Sequence, residues 1–277
     1  MDVPTAIAPL PARYHRLLDR VQKVAQDDQR IRGLWLSGSV ARGTADAGSD
    51  LDLLLAVDDD AFDDFVATWR DWLDRITSVL LAREIPGSKL IFSALDEDIC
   101  RLDGVIEPVS RLSQSPHRTR IAVIDRDRLS DQVPTPAKRP GPDPAKITGT
   151  IEEFWRVQSI FPAMINGRDD LLCALSGVQL SGQLLYDVFV EANQPLPPMG
   201  VKQFSARLTP EQRDVLMALP AAGADRRTLI NADVAVCAAM DAAGRAEAER
   251  VGAIYPDRLA AAVSRHLEDS FRPTTGS

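Results

Sequence analysis

The sequence predicts an α+β protein, a mixed sheet with helices followed by an α-helical bundle. Three observations lead there. Strand and helix signals mix over roughly the first 130 residues. The stretch VPTPAKRPGPDP, from Val133, is too rich in proline and charge for regular structure and reads as a linker. After Pro144 the apolar spacing is helical throughout. The expected division is a first domain over 1–130, a proline-rich linker over 131–144 and a helical domain over 145–277. A chain of 277 residues, 45% of them hydrophobic, is long enough for one large domain or two modest ones.

The densest stretch is LWLSGSVARGTADAGSDLDLLLAV, from Leu34 to Val57. Leu34–Leu36 is a short apolar run suited to a buried strand, and Gly38-Ser39 follows where the chain must turn sharply. Without a side chain at Gly38, backbone N–H groups can approach phosphate oxygens; the Ser39 hydroxyl adds a donor and Arg42 adds positive charge. A second turn, Ala47-Gly48-Ser49, leads into Asp50-Leu51-Asp52-Leu53-Leu54-Leu55, which reads as a strand. Alternation puts Asp50 and Asp52 on one face and Leu51 and Leu53 on the other. Two carboxylates on one face form a hard-oxygen site of the kind Mg²⁺ uses when it also holds phosphates. Alone, a Gly-Ser pair is a turn and Asp-x-Asp a solvated strand end. Here they occur in order, with ten residues between Ser39 and Asp50.

The next segment predicts a helix carrying Phe62, Phe65, Val66, Trp69, Leu73, Ile76 and Leu80 on one core-facing side. Asp58–Asp60 and Asp63-Asp64 complement its positive N-terminus. Leu90–Ala94 reads as a strand, and Ile99–Val109 as a hairpin turning at Asp103-Gly104, with Val105, Glu107 and Val109 sharing a face of the return strand. Pro108 marks that strand as an edge or bulged one. Beyond the linker, Ile147, Ile151, Phe154, Gln158 and Phe161 trace a helical stripe, and Leu171–Val190 is apolar on several sides, as suits a central bundle helix. Thr209-Pro210-Glu211-Gln212 opens another helix with a capping residue, a first-position proline and a glutamine at the third position. Alanine-rich segments over 232–248 and 259–267 complete the bundle.

In its glycine turn, spacer and Asp-hydrophobic-Asp pattern, the chain resembles the nucleotidyltransferase superfamily that includes kanamycin, streptomycin and lincosamide nucleotidyltransferases. The extended form, Gly38-Ser39-Val40-Ala41-Arg42-Gly43 and Gly48-Ser49-Asp50-Leu51-Asp52, is similar to the branch holding antibiotic-modifying enzymes and small toxin–antitoxin nucleotidyltransferases. No Gly-Lys-Ser/Thr follows, unlike the P-loop of ATPases. The resemblance implies a nucleotidyltransferase-fold catalytic domain that binds a nucleoside triphosphate, ATP above others, with Gly38, Ser39, Arg42 and Ser49 on the phosphates and Asp50 and Asp52 on Mg²⁺. It also implies a third carboxylate on a later strand. Glu107, an acid inside an otherwise apolar strand, is the candidate for general base or further metal ligand, ahead of Asp103 as a turn residue and Asp98 as a strand-edge charge. Antibiotic-modifying relatives add a C-terminal helical substrate domain. There Lys202 is a candidate phosphate contact, and Tyr186, Asp187 and Glu191 are candidate contacts to a polar acceptor, read first as an ordinary paired helix face.

Composition narrows the partners. A net charge of −8 disfavours a nucleic-acid track and suits a small cationic acceptor, and the resemblance implies that this acceptor offers a hydroxyl group to the nucleotide. Cys100, Cys173 and Cys237 lack metal-ligand spacing and suggest a reducing cytoplasm; His15, His117 and His266 read as surface or structural residues. No signal peptide precedes the first domain and no apolar run reaches membrane-spanning length, so the expected location is cytoplasmic. Two other readings stay open: a nucleotide-binding or antitoxin-like interaction module without turnover, and a transferase acting on a protein or RNA hydroxyl. The oligomeric state is not encoded in these motifs.

Overall fold

The computed structural model describes residues 1–85, 90–197 and 203–272. The chain separates into two compact units, one over residues 1–138 and the other built from the described residues beyond 138. Lys202 lies outside the described residues.

In the first unit, helices α1 (Val3–Ile7) and α2 (Ala12–Asp27) precede strand β1 (Ile31–Leu36). One stripe of α2, Tyr14, Leu17, Leu18, Val21 and Ala25, is buried at helical spacing. A one-turn helix α3 (Gly38–Arg42) leads to β2 (Leu51–Val57). Helices α4 (Phe62–Ala67) and α5 (Trp69–Asp74) follow, then β3 (Val79–Ile85), β4 (Leu90–Asp96), β5 (Arg101–Pro108) and β6 (Ile121–Asp125). The sheet order is β3-β4-β5-β2-β1-β6. The pair β2/β5 is parallel and the other pairs are antiparallel, which makes the sheet mixed, as expected.

Alternation along β2 sorts the two faces. Leu51, Leu53, Leu55 and Val57 join the main core with α2, Phe65, Trp69 and Trp72. Leu54 and Ala56 face the other way, where Trp35, Leu112 and Leu129 cover them as a smaller cluster. That cover leaves the Asp52 end of the second face to the cleft described below.

Two local expectations need correction. The helix expected from Phe62 through Leu80 breaks at Thr68, ends at Asp74, and gives way to β3, so Leu80 is an exposed strand residue. Thr68 donates its hydroxyl to the Asp64 carbonyl at 2.9 Å, and the β-favouring Val79-Leu80-Leu81 follows too soon for helix to continue. The stripe Phe65, Trp69, Leu73 and Ile76 is still buried, because both short helices turn the same side to the sheet. Asp103-Gly104 is also not a turn. It sits inside β5, and the turn joining β4 to β5 lies over 97–100, where Ile99 has φ 56° and buried Asp96 accepts from the Cys100 amide at 2.8 Å. Gly104 is required for another reason. A Cβ there would stand 2.1 Å from Cε1 of Phe92, its cross-strand partner, so the ring occupies the space a side chain would need. Strand β5 accordingly lies inside the sheet, not at an edge, and Pro108 is its last residue.

The second unit is helical: α6 (Pro144–Gln158), α7 (Leu171–Ala192), α8 (Pro210–Met217), α9 (Arg226–Ala239), α10 (Arg245–Val251) and α11 (Asp257–Phe271). Asp143 caps α6 through the amides of Ala145 and Lys146, ending the irregular stretch that begins after Gln132. Ile147, Ile151, Phe154 and Gln158 are buried against α7, whose Leu185, Val188 and Phe189 are buried in turn. The capping box predicted at Thr209–Gln212 forms in both directions. Among the described residues no helix is long and apolar enough to cross a membrane.

Candidate active site

Three backbone elements bring the site together. Strand β1 ends at Leu36, and the Ser37 amide donates to the Asp52 carbonyl at 2.9 Å, tying the glycine turn to the start of β2. Gly38 has φ +58°, the left-handed region, and a Cβ on it would stand 1.7 Å from Oδ2 of Asp52. Only glycine allows this backbone to pass so close to that carboxylate. The parallel pairing of β2 with β5 then sets Asp52 directly beside Asp103.

This register separates Asp103 from Glu107. Residues paired in a parallel ladder point to the same face, so the Asp52 and Asp103 carboxylates are neighbours. Glu107 is paired with Ala56, four residues further along, a distance of about 13 Å at strand rise. Glu107 is 3% exposed and accepts a hydrogen bond from the Ser115 hydroxyl at 3.1 Å. The structure therefore brings Asp52 and Asp103 together and leaves Glu107 apart from them. In the sequence Asp103 ranks behind Glu107 because Asp-Gly reads as a hairpin turn, whereas here the glycine accommodates Phe92.

A cleft of about 290 Å³ opens on this constellation, bordered by Ser37, Gly38, Arg42, Asp52, Asp103 and His117, with Leu54, Val105, Ile85 and Ile91 among its apolar residues. Oδ1 of Asp103 and Oγ of Ser39 are buried without a hydrogen-bond partner among the described residues. Such orphaned oxygens are uncommon in a folded interior and suit a ligand or ion. Asp50, just before β2, stands 3.6 Å from Arg101. The Ser49 hydroxyl bonds to the carboxylate and amide of Asp46 and shapes the turn. His117, read as surface or structural from sequence, borders the cleft.

The donor set suits a divalent cation. Among the described residues no three His, Cys, Asp or Glu side chains stand as a preformed metal cage. Mg²⁺ rarely uses one; it binds through one or two carboxylates together with substrate phosphates and water. Asp52 and Asp103 side by side, with Asp50 at the strand entry, offer that kind of incomplete site.

In the second unit the candidate acceptor residues make ordinary structural contacts. Glu191 pairs with Lys146 at 2.5 Å, Asp187 accepts from Gln183 at 2.8 Å, and Tyr186 stacks on Phe204 with ring centroids 3.6 Å apart.

No curated protein sequence matches the chain. Among solved structures it is similar to an aminoglycoside 6-adenyltransferase from Bacillus subtilis at 16% identity and TM-score 0.45, with 92% of this chain and 97% of that one covered. It also matches a STING-associated CdnE c-di-GMP synthase from Capnocytophaga granulosa at 13% identity and TM-score 0.29, covering 83% of this chain and 81% of that one. A third match is the Cid1 poly(U) polymerase, at 13% identity and TM-score 0.29, where 69% of this chain corresponds to 52% of that one. A family model described as streptomycin adenylyltransferase matches residues 13–270, nearly the whole chain, so this protein belongs to that family of nucleotidyltransferases.

Proposed function

We propose that this enzyme transfers AMP from ATP to a hydroxyl group of a small cationic antibiotic of the aminoglycoside class, streptomycin first among candidates, with release of pyrophosphate. Family membership supports the reaction class, and the adjacency of Asp52 and Asp103 beneath the Gly38 turn is the observation that carries the mechanism. The charge of −8 favours a cationic acceptor over RNA.

The roles follow from position. The Gly38 turn, Ser39 and Arg42 hold the triphosphate, and Asp50 and Asp52 would hold Mg²⁺. The bound ion would neutralise phosphate charge and favour the leaving pyrophosphate. Asp103 takes the proton from the acceptor hydroxyl, whose oxygen attacks the α-phosphorus as the bond to the bridging oxygen of the β-phosphate breaks. Its buried Oδ1, which has no hydrogen-bond partner among the described residues, supports that role. General-base assistance of this kind contributes about 10² to 10⁴ in rate. The role expected of Glu107 passes to Asp103 in this reading, since Glu107 stands about 13 Å along the strand.

The test is incubation with each NTP, Mg²⁺ and a panel containing streptomycin, other aminoglycosides and lincosamides, with pyrophosphate as the readout. Streptomycin- or aminoglycoside-dependent release with ATP supports the proposal. Release with no member of the panel would reject an antibiotic acceptor.

A further inference from the structure

The histidine that borders the cleft is joined, through its backbone, by one polar chain to the buried acid that sequence reading placed in catalysis. Glu107, beneath the cover of the second sheet face, accepts from the Ser115 hydroxyl at 3.1 Å. The same hydroxyl accepts from Nη2 of Arg120 at 3.1 Å and from the His117 amide at 3.3 Å. Arg120 closes the loop by donating to the His117 carbonyl, from Nε at 2.9 Å and also from Nη2. Its guanidinium lies 5.0 Å from the centroid of the Trp35 ring. Burial pushes Arg120 below its ordinary pKa, and the Glu107 charge opposes that shift, as expected for a cation and an anion sharing one interior. Ser115 is fully buried.

This arrangement helps to fix the loop over 115–120. Residues 115–120 contain no helix or strand, yet they enter β6, whose Ile121 pairs with Leu36 at the end of β1. The glycine turn begins two residues beyond Leu36, at Gly38. The loop and the phosphate turn therefore leave the same end of two paired strands, and His117 borders the cleft beside Ser37, Gly38 and Arg42.

From this juxtaposition we infer that His117 contacts the triphosphate of the bound nucleotide, and that Glu107, Ser115 and Arg120 are positioning residues that hold it there. The inference rests on the nucleotidyl-transfer reading of the cleft. Glu107 acts through the loop and touches no reacting atom.

The chain has three histidines, so the imidazole C–H resonances can be assigned by the one lost in His117→Ala. Mg·ATP should shift the His117 resonance and leave those of His15 and His266 in place. Mg·tripolyphosphate should shift it too, because the phosphates are common to both. Calorimetry on the same samples should show His117→Ala weakening Mg·ATP binding about tenfold, equivalent to about 1.4 kcal/mol. Glu107→Gln should reduce the ATP-induced shift and weaken binding in the same direction, and the double variant should bind no worse than His117→Ala alone. Far-UV circular dichroism checks that each variant is folded. A His117 resonance unmoved by Mg·ATP in protein that calorimetry shows to bind it would overturn this inference and leave nucleotidyl transfer standing. A shift with Mg·ATP but none with tripolyphosphate would overturn the phosphate contact, and additive losses in the double variant would overturn the positioning role. Absence of NTP binding by the wild-type chain would remove both readings.

Discussion

Asp233 on α9 is 1% exposed, and its Oδ1 has no hydrogen-bond partner among the described residues. Replacing it by asparagine should stabilise the helical unit in a pH-dependent way. Burial raises this carboxyl from 3.8 to about 7, partly offset by a hydrogen bond from Gln158, which itself donates to Ser181 at 3.2 Å. Because the folded-state value lies above the unfolded one, the protonated acid is the native form. Its contribution is fully present below pH 3.8 and is lost as pH rises toward 7. A rise of about 3 units corresponds to about 4 kcal/mol at its ceiling. Asparagine has similar shape and no charge to bury. The gain of Asp233→Asn over wild type should therefore be small near pH 4 and grow by about 2–3 kcal/mol between pH 5 and pH 8. Urea unfolding followed by far-UV circular dichroism at several pH values measures the difference directly. Parallel stability curves for the two proteins would refute the reasoning, since they would mean that Asp233 titrates alike in the folded and unfolded chains.

Other expectations come from the sheet and the thiols. Gly38→Ala places a methyl group 1.7 Å from the Asp52 carboxylate at a positive φ. It should lower kcat about 10²-fold, with about 1–2 kcal/mol of lost stability, measured by steady-state kinetics and urea unfolding. Gly104→Ala drives a methyl group into the Phe92 ring and should destabilise the fold by about 1–3 kcal/mol in the same unfolding assay. Of the three thiols, exposed Cys173 should react first with a thiol reagent at pH 8. Cys100 is buried, and burial raises the pKa of both Cys100 and Cys237, which reduces their thiolate fraction.

Local patterns carried much of the fold into the sequence. The stripe Ile147, Ile151, Phe154 and Gln158 predicted α6 because a helix repeats its buried face at fixed spacing, and Thr209–Gln212 predicted the start of α8 because capping is local chemistry. Failures arose where distant residues decided the outcome. Gly104 has the local look of a turn, and only the Phe92 ring on the neighbouring strand explains it. The continuous apolar spacing from Phe62 to Ile76 did not reveal the break at Thr68, because two short helices keep the same face buried. In the site, Gly38 and Asp52 were legible as a motif, but the neighbour of Asp52 depends on the β2/β5 register, which no local pattern records. Glu107 stood out as an acid among apolar residues; its partners Ser115 and Arg120 come from a later loop.

In the proposed mechanism nucleotidyl transfer takes place at Asp52 and Asp103. Pyrophosphate release from Mg·ATP in the presence of streptomycin, compared for wild type, Asp103→Asn and Glu107→Gln, tests it most directly. Asp103→Asn should lose about 10² to 10⁴ in rate, the size of a missing general base, and Glu107→Gln should stay within about tenfold of wild type. Near-wild-type turnover in Asp103→Asn, with collapse in Glu107→Gln, would contradict it.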